Sequence, residues 1–252
     1  MKLNRLILGL VLLGTLANAM PVAAVELSAF EEGNRLYEQR KYNNALAKYS
    51  DIVDSGQSSA SLYYNMGNCY YRLGNKAQAI WAYQKALERD PRDADIRWNL
   101  GLVRKQTADK KAAKFDALEL ARVRDAIGRL KTSEIEIAFA GSVVLLALSF
   151  VLFAFVPALR PVLIKAAGVL LLLLALSGTV AALRWTELRV EHAVVRDKEI
   201  YARYEPVESA TKAFLLHEGA EVQILKQSGE WCFVTFDESQ RGWLPQSALL
   251  RL

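Results

Sequence analysis

Residues 137–156 and 162–183 are two long apolar runs, and they limit this chain more than any other feature. The first holds twenty residues without a charge; the second is interrupted only by Lys165 near its start. Each is long enough, as a helix, to cross a hydrocarbon layer about 30 Å thick. Neither alternates apolar with polar residues, as a core helix of a water-soluble domain would. The segment between them is Pro157-Ala158-Leu159-Arg160-Pro161, whose two prolines interrupt helix and predict a tight turn. The expectation is a transmembrane helical hairpin. Ala138 with Ser142, and Gly178 with Ala182, have the small-xxx-small spacing that lets membrane helices approach closely. Asp, Glu and His are absent from both runs, which argues against a transporter or proton relay.

Upstream, a different regularity appears. Residues 63–68 read YYNMGN and residues 97–102 read RWNLGL, with the same Asn-x-Gly at the same offset. Gly33, Gly67 and Gly101 are spaced by 34 residues, as are Ala45 and Ala79, and Tyr49 and Tyr83. That period is the one found in helix–turn–helix solenoids. The second unit is the clearest, with Tyr63, Gly67, Tyr70, Gly74, Ala79, Tyr83, Ala86 and then Asp90-Pro91. Gly67 is read as the point where the first helix of a repeat meets the second, near Ala79. Pro91 stops the second helix, and Ser55-Gly56 does that work in the first unit. On these markers residues 26–107 resemble the tetratricopeptide-repeat family.

The resemblance implies partner binding in a groove lined by the first helices of each repeat. The implied positions are Phe30, Asn34 and Tyr37; Tyr64, Asn68, Tyr71 and Arg72; and Asp95, Trp98 and Leu102. Asn34 and Asn68 fit the carboxylate clamp of some family members, but Trp98 and Leu102 stand where its cations belong. An aromatic and hydrogen-bonding surface for protein segments is expected instead. Lys105–Lys114 loses the markers of a second helix and is expected to form a polar cap.

Residues 1–24 have the form of a secretory signal: Lys2 and Arg5, the short apolar run Leu6–Leu16, then Ala17-Asn18-Ala19, with Val22-Ala23-Ala24 a second cleavage option. Whether cleaved or retained as an anchor, it would export the repeats downstream of it. Residues 108–136 are basic-leaning, with Leu120, Val123, Ile127 and Leu130 at helical spacing. They predict a juxtamembrane helix, either lying in the membrane interface or connecting through solvent. An exported basic helix with few aromatics does not suit nucleic acid. Arg160 in the turn, and Lys165 beside it, favour a cytoplasmic turn. The expected topology is a two-pass protein of the bacterial inner membrane, with both flanking domains outside the cytoplasm.

Residues 190–252 change character again. Short runs rich in Val, Ile, Phe and Trp recur at Glu191–Arg196, Ala220–Lys226, Trp231–Phe236 and Gly242–Pro245, between turn residues. They predict a small all-β barrel. Leu216-His217-Glu218-Gly219-Ala220-Glu221-Val222, Gly229-Glu230-Trp231-Cys232-Phe233-Val234 and Arg241-Gly242-Trp243-Leu244-Pro245 resemble segments of bacterial SH3-like domains. That resemblance implies a ligand platform at Tyr204, Trp231 and Pro245. Trp243 is read as core.

The fold class is therefore multidomain α and β: a tetratricopeptide-repeat array, a membrane hairpin and an SH3-like barrel. In this order the modules resemble the BatE-like family of aerotolerance-operon (Bat) proteins. The resemblance implies an envelope complex with von Willebrand A-domain membrane proteins and a MoxR-type ATPase, and a link to stress tolerance. The sequence holds no Ser/His/Asp set, phosphate loop or metal spacing, so neither enzyme activity, cofactor nor metal is expected. Cys69 and Cys232 fall in separate units and read as buried small side chains. The expected partners are other envelope proteins and the lipid bilayer, with peptidoglycan as an alternative ligand of the barrel.

Overall fold

The computed structural model describes residues 28–109, 126–188, 190–237 and 239–252. The signal sequence and most of the juxtamembrane segment lie outside the described residues. Two units are distinguished, one comprising residues up to Arg89 together with Asp95–Thr107, the other Asp90–Ala94 and everything from Ala108 on.

The first unit is helical. Helix α1 covers residues 28–38, followed by α2 (Tyr42–Asp54), α3 (Ala60–Arg72), α4 (Lys76–Arg89) and α5 (Ala94–Lys105). The expected punctuation is present. Helix α2 ends one residue before Ser55, and Gly56 takes the left-handed conformation at φ 87°. Ser59 caps α3 by accepting from the Leu62 N–H at 3.1 Å. The turn between the two helices of a repeat is closed twice in the same way. The N–H groups of Arg40 and Lys41 donate to the carbonyls of Tyr37 and Leu36, and those of Gly74 and Asn75 to Tyr71 and Tyr70. The first turn nevertheless places Arg40 at φ 60°, where the second has Gly74 at φ 80°.

Close packing in this unit departs from the sequence reading in one detail. A Cβ on Gly67 would lie 2.6 Å from the ring of Tyr83, and one on Gly33 2.4 Å from the ring of Tyr49. The glycines thus make room for the tyrosines and not for Ala79, which is buried beside them. The rings sit one helical turn further along the second helix than expected. Gly101 has no such neighbour among the described residues.

The hairpin consists of α6 (Thr132–Phe155), a 3-10 turn at Pro157–Leu159 and α7 (Arg160–Leu188). The turn is shorter than expected because Pro161 lies within the first turn of α7, where its missing N–H has no helical partner to lose. Both helices are long and apolar enough to cross a membrane. Their large apolar side chains point outward: Phe150 is 75% exposed and Leu172 70%. A Cβ on Gly178 would reach Phe139 at 3.7 Å, an ordinary contact, so the helices meet there.

The C-terminal part is an antiparallel sheet of seven strands: β1 (Glu191–Val195), β2 (Glu199–Arg203), β3 (Lys212–His217), β4 (Glu221–Ser228), β5 (Trp231–Thr235), β6 (Arg241–Pro245) and β7 (Leu249–Arg251). The order across it is β3-β2-β6-β5-β4-β1-β7. The sheet is open, with β3 and β7 at its edges, where a closed barrel was expected. Bulges at Ala202/Arg203 and Ile224/Lys226 break the register and bend the strands. One face packs Ala193, Val195, Ala202, Leu216, Val222, Cys232, Val234 and Leu244 into the core. Gly242 belongs to that face: a Cβ there would lie 2.9 Å from the Cβ of Ala202.

Candidate functional site

Alternate helices of the repeat unit are tied together by a polar ladder that keeps the 34-residue period. The Tyr49 hydroxyl donates to Asn34 Oδ1 at 2.7 Å, and Asn65 Nδ2 donates to the same oxygen at 2.8 Å. One repeat on, the Tyr83 hydroxyl donates to Asn68 Oδ1 at 2.7 Å, and Asn99 Nδ2 donates to it at 3.1 Å. Asn99 Nδ2 also reaches the Tyr64 hydroxyl at 3.2 Å. Helices α1, α3 and α5 are thereby linked through their asparagines, with a tyrosine from α2 or α4 closing each rung.

A second rung repeats with the same step. Arg72 is hydrogen-bonded to the Tyr37 side chain, which raises the arginine's pKa. Gln106 Nε2 donates to the Tyr71 hydroxyl at 3.0 Å. The residue after a groove tyrosine's counterpart in the next repeat therefore supplies its partner. Tyr37 also packs against Tyr42, with ring centroids 5.3 Å apart.

Of the groove positions read from the sequence, Asn34, Tyr64 and Asn68 meet in the asparagine ladder, and Tyr37, Tyr71 and Arg72 in the second rung. Phe30 packs on Tyr49 as Tyr64 packs on Tyr83, at 5.9 and 6.0 Å. Trp98 is set apart from these rungs and is 73% exposed; Leu102, one turn on, is also exposed. Asp95 lies in the first turn of α5. Sequence reasoning noticed Asn65 and Asn99 as a repeated Asn-x-Gly but gave them no role, and Gln106 escaped it. The signal was present, since Asn65 and Asn99 keep the period of Asn34 and Asn68.

The ladder sits over an apolar seam. Tyr49 and Tyr83 are buried, and burial pushes their hydroxyls above the usual phenol range. Cys69, fully buried on α3, has its thiol pushed up to about 12 by the same desolvation. It is a packed thiol, not a nucleophile. Cys69 and Cys232 are both free and buried. Among the described residues no cluster of three metal-ligating side chains occurs.

On the C-terminal sheet, Trp231 lies directly opposite Pro245 on neighbouring strands. Tyr204 comes directly after the last residue of β2 and is 64% exposed. Its N–H donates to the Thr211 carbonyl. Trp243 is buried, but outside the core cluster: it stacks on Phe233 with centroids 5.2 Å apart, on the face opposite Leu244 and Gly242.

Comparison with known proteins agrees with the helical part. The tetratricopeptide-repeat family matches residues 60–93. Similar proteins include the rat sperm-associated antigen 1, 31% identical over 30% of this chain and 8% of its own length. Soybean Hsp70-Hsp90 organizing protein 1 is 33% identical over 25% of this chain and 11% of its own. The photosystem I assembly protein Ycf3 of Prochlorococcus marinus is 31% identical over 33% of this chain and 52% of its own. The chain thus spans about a tenth of the first two relatives. The fold and the match together define a helical region that contains a tetratricopeptide repeat at residues 60–93. In this molecule it is joined to a hairpin of two apolar helices and an antiparallel sheet.

Proposed function

We propose that this chain is a two-pass scaffold of the bacterial cell envelope, BatE-like in plan, that holds segments of partner proteins against the face of α1, α3 and α5. The observation that carries this reading is the pair of 34-residue side-chain ladders. They fix the three helices side by side before any partner arrives, so less ordering cost is left to binding. Arg72, a member of the second rung, and Trp98, set apart from both, are exposed on this face, and Arg and Trp are among the residue types that most often anchor an interface. Two of the relatives are named for organising or assembling other proteins, which supports the same role.

In this reading α6 and α7 cross the inner membrane, with the repeats and the sheet outside the cytoplasm. The partners are envelope proteins of the von Willebrand A-domain and MoxR ATPase classes, and the process is stress or oxygen tolerance. The test is isolation of the full chain from cross-linked membranes, scored for an A-domain protein encoded beside it. Replacing Arg72 and Trp98 together by Ala should lower its recovery by about tenfold or more, with helical content unchanged. Undiminished recovery would remove this face as the binding surface.

A further inference from the structure

The outward face of the C-terminal sheet has a pattern that the scaffold reading does not use. Strand register places Lys212, Arg203, Trp243, Phe233 and Lys226 in one row across five strands. The row on one side contains Arg241, Thr235 and Gln223; the row on the other contains Trp231, Pro245 and Ser228, with Leu215 and Tyr201 at the β3 end. These rows hold four cations and no carboxylate. None of the four is held in an ion pair among the described residues. Acidic residues stand around these rows: Glu199 opposite His217, Asp109 against His217 Nδ1 at 2.9 Å, Glu221 two residues before Gln223 on β4, Glu205 and Glu208 in the β2–β3 connection, and Glu230 in the β4–β5 turn.

Two of the cations are already posed. Lys226 Nζ stands 5.1 Å from the Trp243 ring and 5.2 Å from the Phe233 ring, and Lys212 Nζ stands 4.0 Å from the Tyr201 ring. Each ammonium group stands over an aromatic ring, so Lys226 covers part of Trp243 and Phe233 and Lys212 part of Tyr201. Trp243, under this cover, is too buried to act as an inserting wedge. Such a face would adsorb to an anionic surface through charge.

The chain itself limits which surface is within reach. Helix α7 ends at Leu188 and β1 starts at Glu191, so the connection covers at most about 11 Å. Trp185, 61% exposed near the end of the apolar span, is the residue type that settles at headgroup level. The sheet is therefore tethered at the bilayer surface, where lipid headgroups are present at high effective concentration.

We propose that this outward face docks onto anionic phospholipid headgroups of the bilayer crossed by the hairpin. The proposal rests on the membrane-spanning part of the function given above. The test uses the full chain with a fluorophore on Ser228→Cys, a position in the outer rows; the native thiols are buried. The chain is reconstituted in phosphatidylcholine vesicles with or without phosphatidylglycerol, each carrying a nitroxide-headgroup lipid. Quenching should be about twofold or more stronger in the anionic vesicles. It should fall to the neutral level in about 1 M salt, and in a Lys212→Glu, Lys226→Glu variant that still floats with the vesicles. Equal quenching in both compositions overturns the face while leaving the hairpin intact. Release by soluble polyglutamate with no dependence on lipid composition assigns the face to an acidic protein and overturns the lipid. A chain that floats with neither vesicle overturns the spanning reading and the proposal with it.

Discussion

The repeat helices and the hairpin helices share one secondary structure and have opposite surfaces. In the repeats, Ala45, Tyr49, Ala79 and Tyr83 turn inward, and the polar rungs between helices are made by side chains at fixed 34-residue steps. In the hairpin, Phe150 and Leu172 turn outward, and the hydroxyl groups bond locally. Ser142 donates to the Ala138 carbonyl, and Thr179 to Ala175. The difference comes from the surroundings each would satisfy. A helix in water must hide its apolar stripe and can commit polar side chains to its neighbours. A helix in lipid has no such stripe to hide, and its polar groups return to its own backbone.

Alkaline titration should separate the two most widely. The neutral forms of Cys69, Tyr49 and Tyr83 are favoured by folding, because burial raises all three pKa values. The stability contributed by Cys69 is complete below the ordinary thiol value of 9.0 and is lost as pH climbs towards about 12; that of Tyr49 and Tyr83 is complete below the ordinary phenol value of 10.0 and is lost as pH rises further. Circular dichroism of the full chain in detergent should show the repeat signal lost in that window and the hairpin signal kept. Simultaneous loss would break the comparison.

A charge placed on the outward surface should come next. Leu172→Lys should cost about 2.5–3.5 kcal/mol in membrane insertion, measured as the fraction inserted by a translocation assay. On a helix facing water the same change would be nearly neutral, so an inserted fraction equal to the parent's would refute the spanning reading.

Within the repeats, Gly67→Ala should destabilise by about 1–3 kcal/mol, because its Cβ would meet the Tyr83 ring. Gly101→Ala, at the equivalent position with open space around it, should stabilise by up to about 1 kcal/mol. Urea melts of the two variants should move in opposite directions. The smallest effect is expected at the turn: Arg40→Gly, which relieves a left-handed non-glycine residue, should raise the midpoint by an amount equivalent to about 1 kcal/mol or less. A lower midpoint would show that the Arg40 side chain contributes more than its backbone costs.

These positions also show what the sequence could convey. The period of 34, the caps at Ser55-Gly56 and Pro91 and the two apolar runs are local patterns, and each is found where it was expected. Which ring fills the Gly67 slot depends on the rotation of one helix against another, and periodicity does not fix that angle. The bridging role of Asn65 and Asn99 needs the same cross-helix information. In the sheet, alternation located β1, β4, β5 and β6 to within a residue or two. It missed β2 and β3 as strands and the three-residue β7. Whether the sheet closes depends on bends such as those at Ala202/Arg203 and Ile224/Lys226, and a bulge has no reliable mark in a single sequence.

The two buried cysteines have a practical consequence. Each unit contains one thiol, buried in the folded state and reached by solvent when that unit opens: Cys69 among the repeats and Cys232 in the sheet. A thiol reagent added to the native protein therefore acts as two independent clocks. The rate at Cys69 reads the opening of the helical array, and the rate at Cys232 reads that of the sheet, without any label introduced by mutation. A partner that binds one unit alone should slow one clock and leave the other running.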